Sequence, residues 1–329
     1  MAIPRNLILF CGLQAAFFVS APAGAADYSA LQKASDWPAM ESAALSALQA
    51  NPADADAAWY LTQSALRLND EDKQKAAVDA ANTCIEAAPK AASCHHALGR
   101  LYGVRAQSAG LFSAMRLAPK IKTHFEAAVK LAPLNFTARD DLNSFYLAAP
   151  SIAGGGADKA EKNVAEYAAL DVAGGKLLGV RLLNAAKKTS EAEAIVLTEV
   201  RYADPDQSAA HTSALIGMSA WYLTEKRPAD GLRIAAFALS AYPEHATVQL
   251  VYGRAKLENG DVEGAIVALE KSLQINPKSG AQYRLGLAYE QNGRKEDAVQ
   301  KYREFLLNNK PDSSPQAKDA AARLKLIGL

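Results

Sequence analysis

Alanine-rich segments with apolar residues at helical spacing alternate along the chain with short turns that contain proline. The prolines that end these segments are Pro52, Pro89, Pro133, Pro205, Pro243, Pro277 and Pro311, at spacings of 37, 44, 72, 38, 34 and 34 residues. The longest spacing is two periods, and near its midpoint Gly174 and Gly175 end a helix in place of proline. A regular period of this length predicts a repeated pair of amphipathic helices.

This pattern predicts seven helix pairs, at residues 54–88, 91–132, 135–171, 174–203, 206–242, 245–276 and 279–310. A partial pair precedes them at residues 27–50, where Asp36 is placed to cap a helix that carries Pro38 in its first turn. A final helix follows at about residues 314–327, with Ser314 as N-cap and Pro315 at the first helical position. Such a terminal helix covers the end of a repeat core with a polar outer face.

The two most regular repeats, at residues 245–277 and 279–311, resemble the tetratricopeptide consensus. The matching residues are Tyr252, Gly253, Gly260, Ala265, Leu269 and Pro277 in the first copy, and Leu285, Gly286, Tyr289, Gly293, Ala298 and Tyr302 in the second. Small residues at consensus positions 8 and 20 let the two helices of a repeat cross closely, and large residues fill the space around them.

The alignment of these two repeats with the consensus can be continued towards the N-terminus through nearly the whole chain. Residues at the position-8 site of the earlier repeats are Gly217, Gly179, Asn143, Gly99 and Thr62. The resemblance implies an all-α fold, a right-handed α-solenoid of about seven helix pairs with a partial N-terminal pair and a C-terminal capping helix. The dominance of alanine among the hydrophobic residues, which make up 50% of the chain, also favours helices over sheets.

The first 25 residues have the pattern of a signal peptide. Arg5 precedes an apolar stretch at residues 7–19, and Ala23-Gly24-Ala25 provides small residues for cleavage. We expect cleavage near Ala25 and a periplasmic or secreted protein. The alternative is a membrane anchor, although the stretch is shorter than the roughly 20 residues that span a bilayer. No second apolar run follows, so the mature chain is expected to lack a transmembrane segment.

The charge balance bears on the class of partner. The chain has 36 basic and 35 acidic residues, and removal of the leader with Arg5 leaves equal numbers. A net charge near zero argues against nucleic acid and against anionic membrane surfaces as partners.

Two cysteines remain after the leader, and their placement suggests a disulfide. Cys84 lies five residues before Pro89 and Cys94 five after it, which puts them at similar heights on two antiparallel helices. Two free buried thiols are the alternative. The run Cys94-His95-His96 has zinc-binding residue types, but adjacent side chains on a helix point about 100° apart, so we expect no metal.

Candidate catalytic motifs are weak in this sequence. It has neither a G-x-S-x-G nor an H-E-x-x-H pattern, and its five histidines are scattered. The run Gly154-Gly155-Gly156 follows a helix rather than a strand, and it is interpreted as a flexible loop instead of a phosphate site. The sequence therefore predicts a protein that is not an enzyme and has no cofactor.

One repeat is longer than the consensus. From Gly99 to Pro133 there are 34 residues, whereas Gly253 to Pro277 span 24, so about ten residues are inserted within residues 105–119. The pattern does not indicate a role for this insertion.

The resemblance implies a concave groove lined by the first helix of each repeat. The groove residues carried over from the consensus are Trp59, Gln63, His96, Arg100, Asp140, Ser144, Lys176, Met218, Arg254, Tyr283 and Glu290. This set lacks the cluster of Lys, Arg and Asn with which chaperone-binding members hold a C-terminal carboxylate. Aromatic and arginine side chains are typical anchors for a protein or peptide, although each of them can instead be packed between repeats.

The function expected from these features is that of a non-catalytic scaffold or adaptor in the periplasm or cell envelope. Its partner would be a protein or peptide bound in the groove. The alternative is that the same groove binds a small molecule or a cell-wall fragment.

Overall fold

The structure, a computed structural model, describes residues 27–198 and 202–327. The predicted signal peptide lies outside the described residues. The chain divides into two compact units, Met1–Pro89 and Lys90–Leu329, which are described separately.

The described part of the first unit contains α1 (Tyr28–Ala34), α2 (Trp37–Ala50), α3 (Ala55–Leu68) and α4 (Glu71–Ala87). Each helix begins after an aspartate whose carboxylate accepts a hydrogen bond from an amide of the first turn. Helix α2 packs on α3, and α3 packs on α4. Met40, Ala44 and Leu61 are among the buried residues of this unit. The partial pair and the first full pair therefore form as the polar and apolar pattern predicts.

The second unit continues the same arrangement. Its α-helices are α5 (Ala92–Ser108), α6 (Leu111–Leu131), α7 (Phe136–Ala148), α8 (Ala157–Ala168), α9 (Val172–Ala185), α10 (Thr189–Val196), α11 (Pro205–Thr224), α12 (Pro228–Ala241), α13 (Ala246–Glu258), α14 (Val262–Ile275), α15 (Gln282–Gln291), α16 (Lys295–Asn308) and α17 (Pro315–Ile327). Each odd-numbered helix from α5 to α15 packs on the next helix, which in turn packs on the following pair. No strand occurs among the described residues. The predicted all-α solenoid of helix pairs is confirmed.

Capping residues set many of the helix starts in this unit. The carboxylates of Asp171, Asp204 and Asp261 accept backbone hydrogen bonds at the starts of α9, α11 and α14. The Ser314 hydroxyl accepts one from the Ala317 amide at 3.1 Å, and Pro315 opens α17. These short polar side chains satisfy amides that a helix cannot pair internally.

The position-8 glycines differ in how closely the paired helices cross. A Cβ atom would lie 2.4 Å from the Phe125 ring at Gly99 and 2.6 Å from the Tyr302 ring at Gly286. Nothing lies within 4 Å at Gly217, because this residue faces a cavity described below rather than a helix partner. The expectation that glycine permits close crossing therefore holds for the first two positions and is wrong for Gly217.

The insertion lengthens the second helix pair. Helix α5 has 17 residues and α6 has 21, whereas α13 and α14 have 13 and 14. The insertion therefore forms additional turns at the facing ends of α5 and α6.

The glycine-rich segment forms a hydrogen-bonded turn in place of the flexible loop expected. A short 3-10 helix covers Ser151–Ala153. The Gly156 amide donates to the Tyr146 carbonyl at 2.8 Å. At Gly155 a Cβ atom would lie 1.8 Å from the Ala149 carbonyl oxygen, so this position requires glycine.

A buried arginine links α7 to α8. The Arg139 guanidinium donates to the Pro133 carbonyl at 3.2 Å, to Asn163 Oδ1 at 3.0 Å and to Glu166 Oε2 at 3.1 Å. Asn163 Nδ2 returns a hydrogen bond to the Arg139 carbonyl at 3.0 Å. Most of the donors of this charged side chain are thereby satisfied away from water.

Candidate functional site

A cavity of about 920 Å³ lies on the first helices of three consecutive pairs in the second unit, α7, α9 and α11. It is lined by Phe136, Asp140, Leu177, Val180, Arg181, Asn184, Lys187, Thr189, Ala210, Ser213, Ala214, Gly217, Met218 and Trp221. Its volume falls within the roughly 300–1,000 Å³ typical of binding sites. We call it the central cavity.

The walls of the central cavity combine buried apolar residues with one accessible aromatic ring. Phe136, Leu177 and Met218 are almost fully buried and belong to one hydrophobic cluster. Trp221 remains 42% exposed, and its ring centroid lies 4.9 Å from that of Tyr222. A partly exposed indole beside apolar walls offers a large contact area with one polar N–H, which suits an anchor for a bound chain.

An ion pair lies in the lining of the central cavity. Arg181 donates through Nε to Asp140 Oδ1 at 3.0 Å and through Nη2 to Asp140 Oδ2 at 2.8 Å. The hydrogen bonds to Asp140 raise the pKa of Arg181. This two-pronged contact fixes both side chains and joins α7 to α9.

A second cavity of about 540 Å³ lies under the lengthened helix pair, between α5, α6, α7 and the 3-10 helix. Apolar residues dominate its lining, including Val104, Met115 and Phe145. Its polar corner is formed by Arg100, Gln107, Asp141 and Ser144. We call it the insertion cavity.

The polar corner of the insertion cavity is organised around Asp141. His96 Nε2 donates to Asp141 Oδ2 at 2.7 Å, and Arg100 Nε lies 3.5 Å from the same oxygen. Burial raises the pKa of this carboxyl, but the His96 hydrogen bond and the charges of Arg100 and Arg181 outweigh burial and hold the pKa below its usual value. The carboxylate therefore stabilises the fold at neutral pH, and this contribution is lost only as the pH falls below about 3.9.

Comparisons with known proteins agree with the repeat geometry. Two family models, both described as tetratricopeptide repeat, match residues 222–288 and 281–310. Both matches fall on the paired helices from α11 to α16. The chain carries tetratricopeptide repeats. No curated protein sequence matches it significantly.

The fold is similar to that of yeast Tom70. Yeast Tom70 superposes with a TM-score of 0.57 at 14% identity, over 88% of this chain and 58% of that chain. The Cut9–Hcn1 hetero-tetramer of the APC/C gives 0.46 at 15% identity, covering 92% of this chain and 55% of that one. A tetratricopeptide repeat protein from Parabacteroides merdae gives 0.43 at 14% identity, with coverages of 79% and 95%. This chain thus spans little more than half of the Tom70 and Cut9–Hcn1 chains.

The structure separates the expected groove residues of this tetratricopeptide protein into distinct places. Asp140 and Met218 line the central cavity, and Arg100 and Ser144 line the insertion cavity. His96 is buried and bonded to Asp141, so it acts in packing between repeats. Trp59 and Gln63 lie half-buried on α3 of the first unit, and Lys176 is exposed on α9 without lining either cavity.

The remaining groove residues are engaged near the C-terminal end of the array. Arg254 Nε donates to Glu258 at 2.7 Å. The Tyr283 hydroxyl donates to Asp319 of α17 at 2.7 Å, and Glu290 accepts a hydrogen bond from Arg323 of α17 at 2.9 Å. Burial and the Asp319 hydrogen bond raise the pKa of Tyr283 to about 12. Tyr283 and Glu290 thus hold the capping helix rather than line a cavity.

Some central-cavity residues escaped the sequence prediction. The groove-facing consensus positions are 2, 5, 9, 12 and 13. With Gly217 at position 8, Trp221 falls at position 12, so the consensus alone was sufficient to identify it. Val180 and Asn184 fall at positions 9 and 13, so the consensus could have identified them in the same way. Phe136 and Arg181 fall outside the groove positions, and only the packing of α7 against α9 brings them to the cavity.

The cysteines and histidines around residues 84–96 contact several different partners. Cys84 and Cys94 are both in the disulfide-bonded form and fully buried, and their mutual pairing stays a prediction. His95 Nδ1 lies 3.3 Å from His124 Nδ1, whereas His96 contacts Asp141, so the two adjacent rings meet different partners. Within residues 27–198 and 202–327, no three His, Cys, Asp or Glu residues are grouped as a metal site requires.

None of the described helices combines the length and apolar character needed to cross a bilayer.

Proposed function

We propose that this protein is a non-catalytic scaffold that binds a protein or peptide segment in its concave groove, at the central cavity. The tetratricopeptide fold is in general that of a protein-interaction scaffold. The proposal rests on one observation. Helices α7, α9 and α11, the first helices of three consecutive pairs, line one cavity with apolar walls, and the Trp221 ring in this lining is partly exposed. A bound segment would bury this ring against Met218 and Leu177, as aromatic anchors do at interface centres.

The composition of the central cavity favours a peptide over a small polar ligand. Its charged residues include Asp140 and Arg181, which bind each other in two hydrogen bonds. Binding of a small charged molecule would have to disrupt this pair or rely on Lys187 and the neutral polar residues. A peptide needs mainly apolar contact and a few hydrogen bonds, which Asn184, Thr189 and Ser213 are able to supply.

We also propose that the scaffold acts in the periplasm or cell envelope. Support comes from the signal-peptide pattern of residues 1–25. The disulfide-bonded form of Cys84 and Cys94 suits an oxidising compartment.

Replacement of Trp221 by alanine is expected to weaken partner binding about 30-fold, because truncation of an aromatic anchor costs about 2 kcal/mol. The measurement is crosslinking capture from the native cell envelope by the wild type and the variant, with circular dichroism to verify folding. The matched control is Leu307→Ala, which removes a side chain that is 82% exposed on α16. Equal capture by wild type and Trp221→Ala would refute the groove assignment, and failure of the wild type to enrich any protein would favour a small ligand.

A further inference from the structure

The lengthened helix pair ends in an exposed apolar apex. Leu111 is 74% exposed and Phe112 is 93% exposed, both in the first turn of α6 next to the Ala109-Gly110 turn. Ile152 is 88% exposed in the 3-10 helix, whose neighbouring residues line the insertion cavity together with Leu111. Large apolar side chains grouped in this way on a surface usually mark a contact site.

The insertion makes this apex project. Helix α5 has 17 residues where α13 has 13, and α6 has 21 where α14 has 14, so the two helices are longer by about 6 Å and about 10 Å at 1.5 Å per residue. The apolar side chains therefore lie at the end of a hairpin, where Phe112 is almost fully exposed and Leu111 also borders the insertion cavity.

The hairpin carries a local positive charge. From residue 87 to residue 125 the chain has no Asp or Glu, while it has six basic residues: Lys90, Arg100, Arg105, Arg116, Lys120 and Lys122. The rest of the chain has 30 basic and 35 acidic residues, which is an excess of acid. The near-zero net charge of the whole molecule therefore conceals one basic segment around the hairpin.

We propose that the α5–α6 hairpin docks the protein on the surface of an anionic lipid bilayer. Leu111 and Phe112 enter the apolar layer at the headgroup boundary. Arg105 and Arg116 lie five or six residues back from the Gly110 turn, or about 8 Å along the helices, and contact lipid phosphates there. This depth agrees with the roughly 5–10 Å to which peripheral elements enter the boundary region.

The arrangement of these residues favours a bilayer over an acidic protein partner. Along the hairpin the apolar residues come first and the cations follow, which is the order of the acyl and phosphate layers in a membrane. An exposed apex with two adjacent apolar side chains can insert among lipids. Phe112 is 93% exposed and does not line the insertion cavity, so this ring offers no concave surface to a partner's side chain.

The test is flotation of the purified protein with lipid vesicles, one set of phosphatidylcholine alone and one of phosphatidylcholine mixed with phosphatidylglycerol. The chain used begins at Ala26, so the apolar stretch of residues 7–19 does not contribute, and the described fold is retained. We expect binding to the anionic vesicles only, and loss of most of it between about 0.1 M and 1 M salt.

Two variants identify the hairpin as the contact. Leu111→Ser/Phe112→Ser is expected to weaken vesicle binding at least about tenfold through lost apolar burial. Arg105→Gln/Arg116→Gln is expected to weaken it about 30-fold, because each cation near an anionic surface contributes about a factor of five. Leu307→Ser, on exposed α16, and Lys162→Gln, on exposed α8, are matched controls that should bind as the wild type does.

Other outcomes overturn the proposal. Equal flotation with both vesicle types, or unchanged binding in both hairpin variants, would contradict docking through this hairpin. Absence of vesicle binding together with loss of a captured protein in Leu111→Ser/Phe112→Ser would assign the hairpin to an acidic protein partner. Because Trp221→Ala leaves the hairpin intact, it should float as the wild type does, so the groove and the hairpin are tested independently.

Discussion

Replacement of Arg139 by alanine is expected to destabilise the second unit by about 2–4 kcal/mol, because its hydrogen-bond acceptors lose their donor and the side-chain volume is left empty. The guanidinium holds Asn163 and the Pro133 carbonyl together, and without it both lose a donor inside the protein. The substitution also leaves a void beside Tyr167, whose ring centroid lies 5.9 Å from the guanidinium carbon.

The measurement is urea denaturation followed by circular dichroism. The matched control is Arg227→Ala, because Arg227 pairs with Asp230 at 2.7 Å but remains half exposed. Exposed pairs contribute about 0–1 kcal/mol, so the control should unfold close to the wild-type midpoint. If Arg139→Ala destabilises the protein as little as Arg227→Ala does, the buried network is not what joins α7 to α8.

Replacement of Gly286 by alanine is expected to cost about 2 kcal/mol, whereas Gly217→Ala should stabilise the protein by about 1 kcal/mol. Both glycines occupy consensus position 8 inside a helix. At Gly286 the new methyl group meets the ring of Tyr302, which is fully buried and donates its hydroxyl hydrogen to Glu290 at 2.7 Å. At Gly217 the methyl group meets open space, and only the helix propensity of alanine remains.

Urea midpoints of the two alanine variants provide the comparison, with Gly103→Ala as a further control because nothing lies within 4 Å of a Cβ atom there. We expect Gly103→Ala to follow Gly217→Ala. Destabilisation of the same size at Gly286 and Gly217 would mean that the close helix crossing seen at Gly286 is not specific to its repeat.

The helix pairs were predictable because the information for them is local. Most of the recurring prolines lie between helices or in a first turn, although Pro119 lies inside α6. Polar N-caps such as Asp204 and Ser314 start helices through hydrogen bonds to residues two or three positions away. Alanine-rich amphipathic segments can then bury their apolar faces only against the neighbouring pair. The periodic pattern was therefore sufficient to place the order of the helices. The prediction that Gly174 and Gly175 end a helix is wrong, because both lie in the first turn of α9, which Asp171 caps.

The site was less predictable because it depends on non-local packing. Two of the consensus residues, Asp140 and Met218, line one cavity, but the consensus gave no sign that α17 contacts Tyr283 and Glu290. The length of the insertion was evident, whereas its helical form and the cavity beneath it arise from contacts among α5, α6 and α7. Gly217 occupies consensus position 8, but no atom lies close enough to it to require glycine there.

The central claim is that the groove around the central cavity contacts a partner protein. Site-specific photocrosslinking in the native envelope tests it most directly, with the photoreactive residue in place of Ser213, an exposed residue that lines the cavity. The comparison position is Lys162, which is exposed on α8 and does not line the cavity. We predict a discrete protein adduct from position 213 that is absent from position 162. The same adducts from both positions, or an adduct from position 162 alone, would contradict the account.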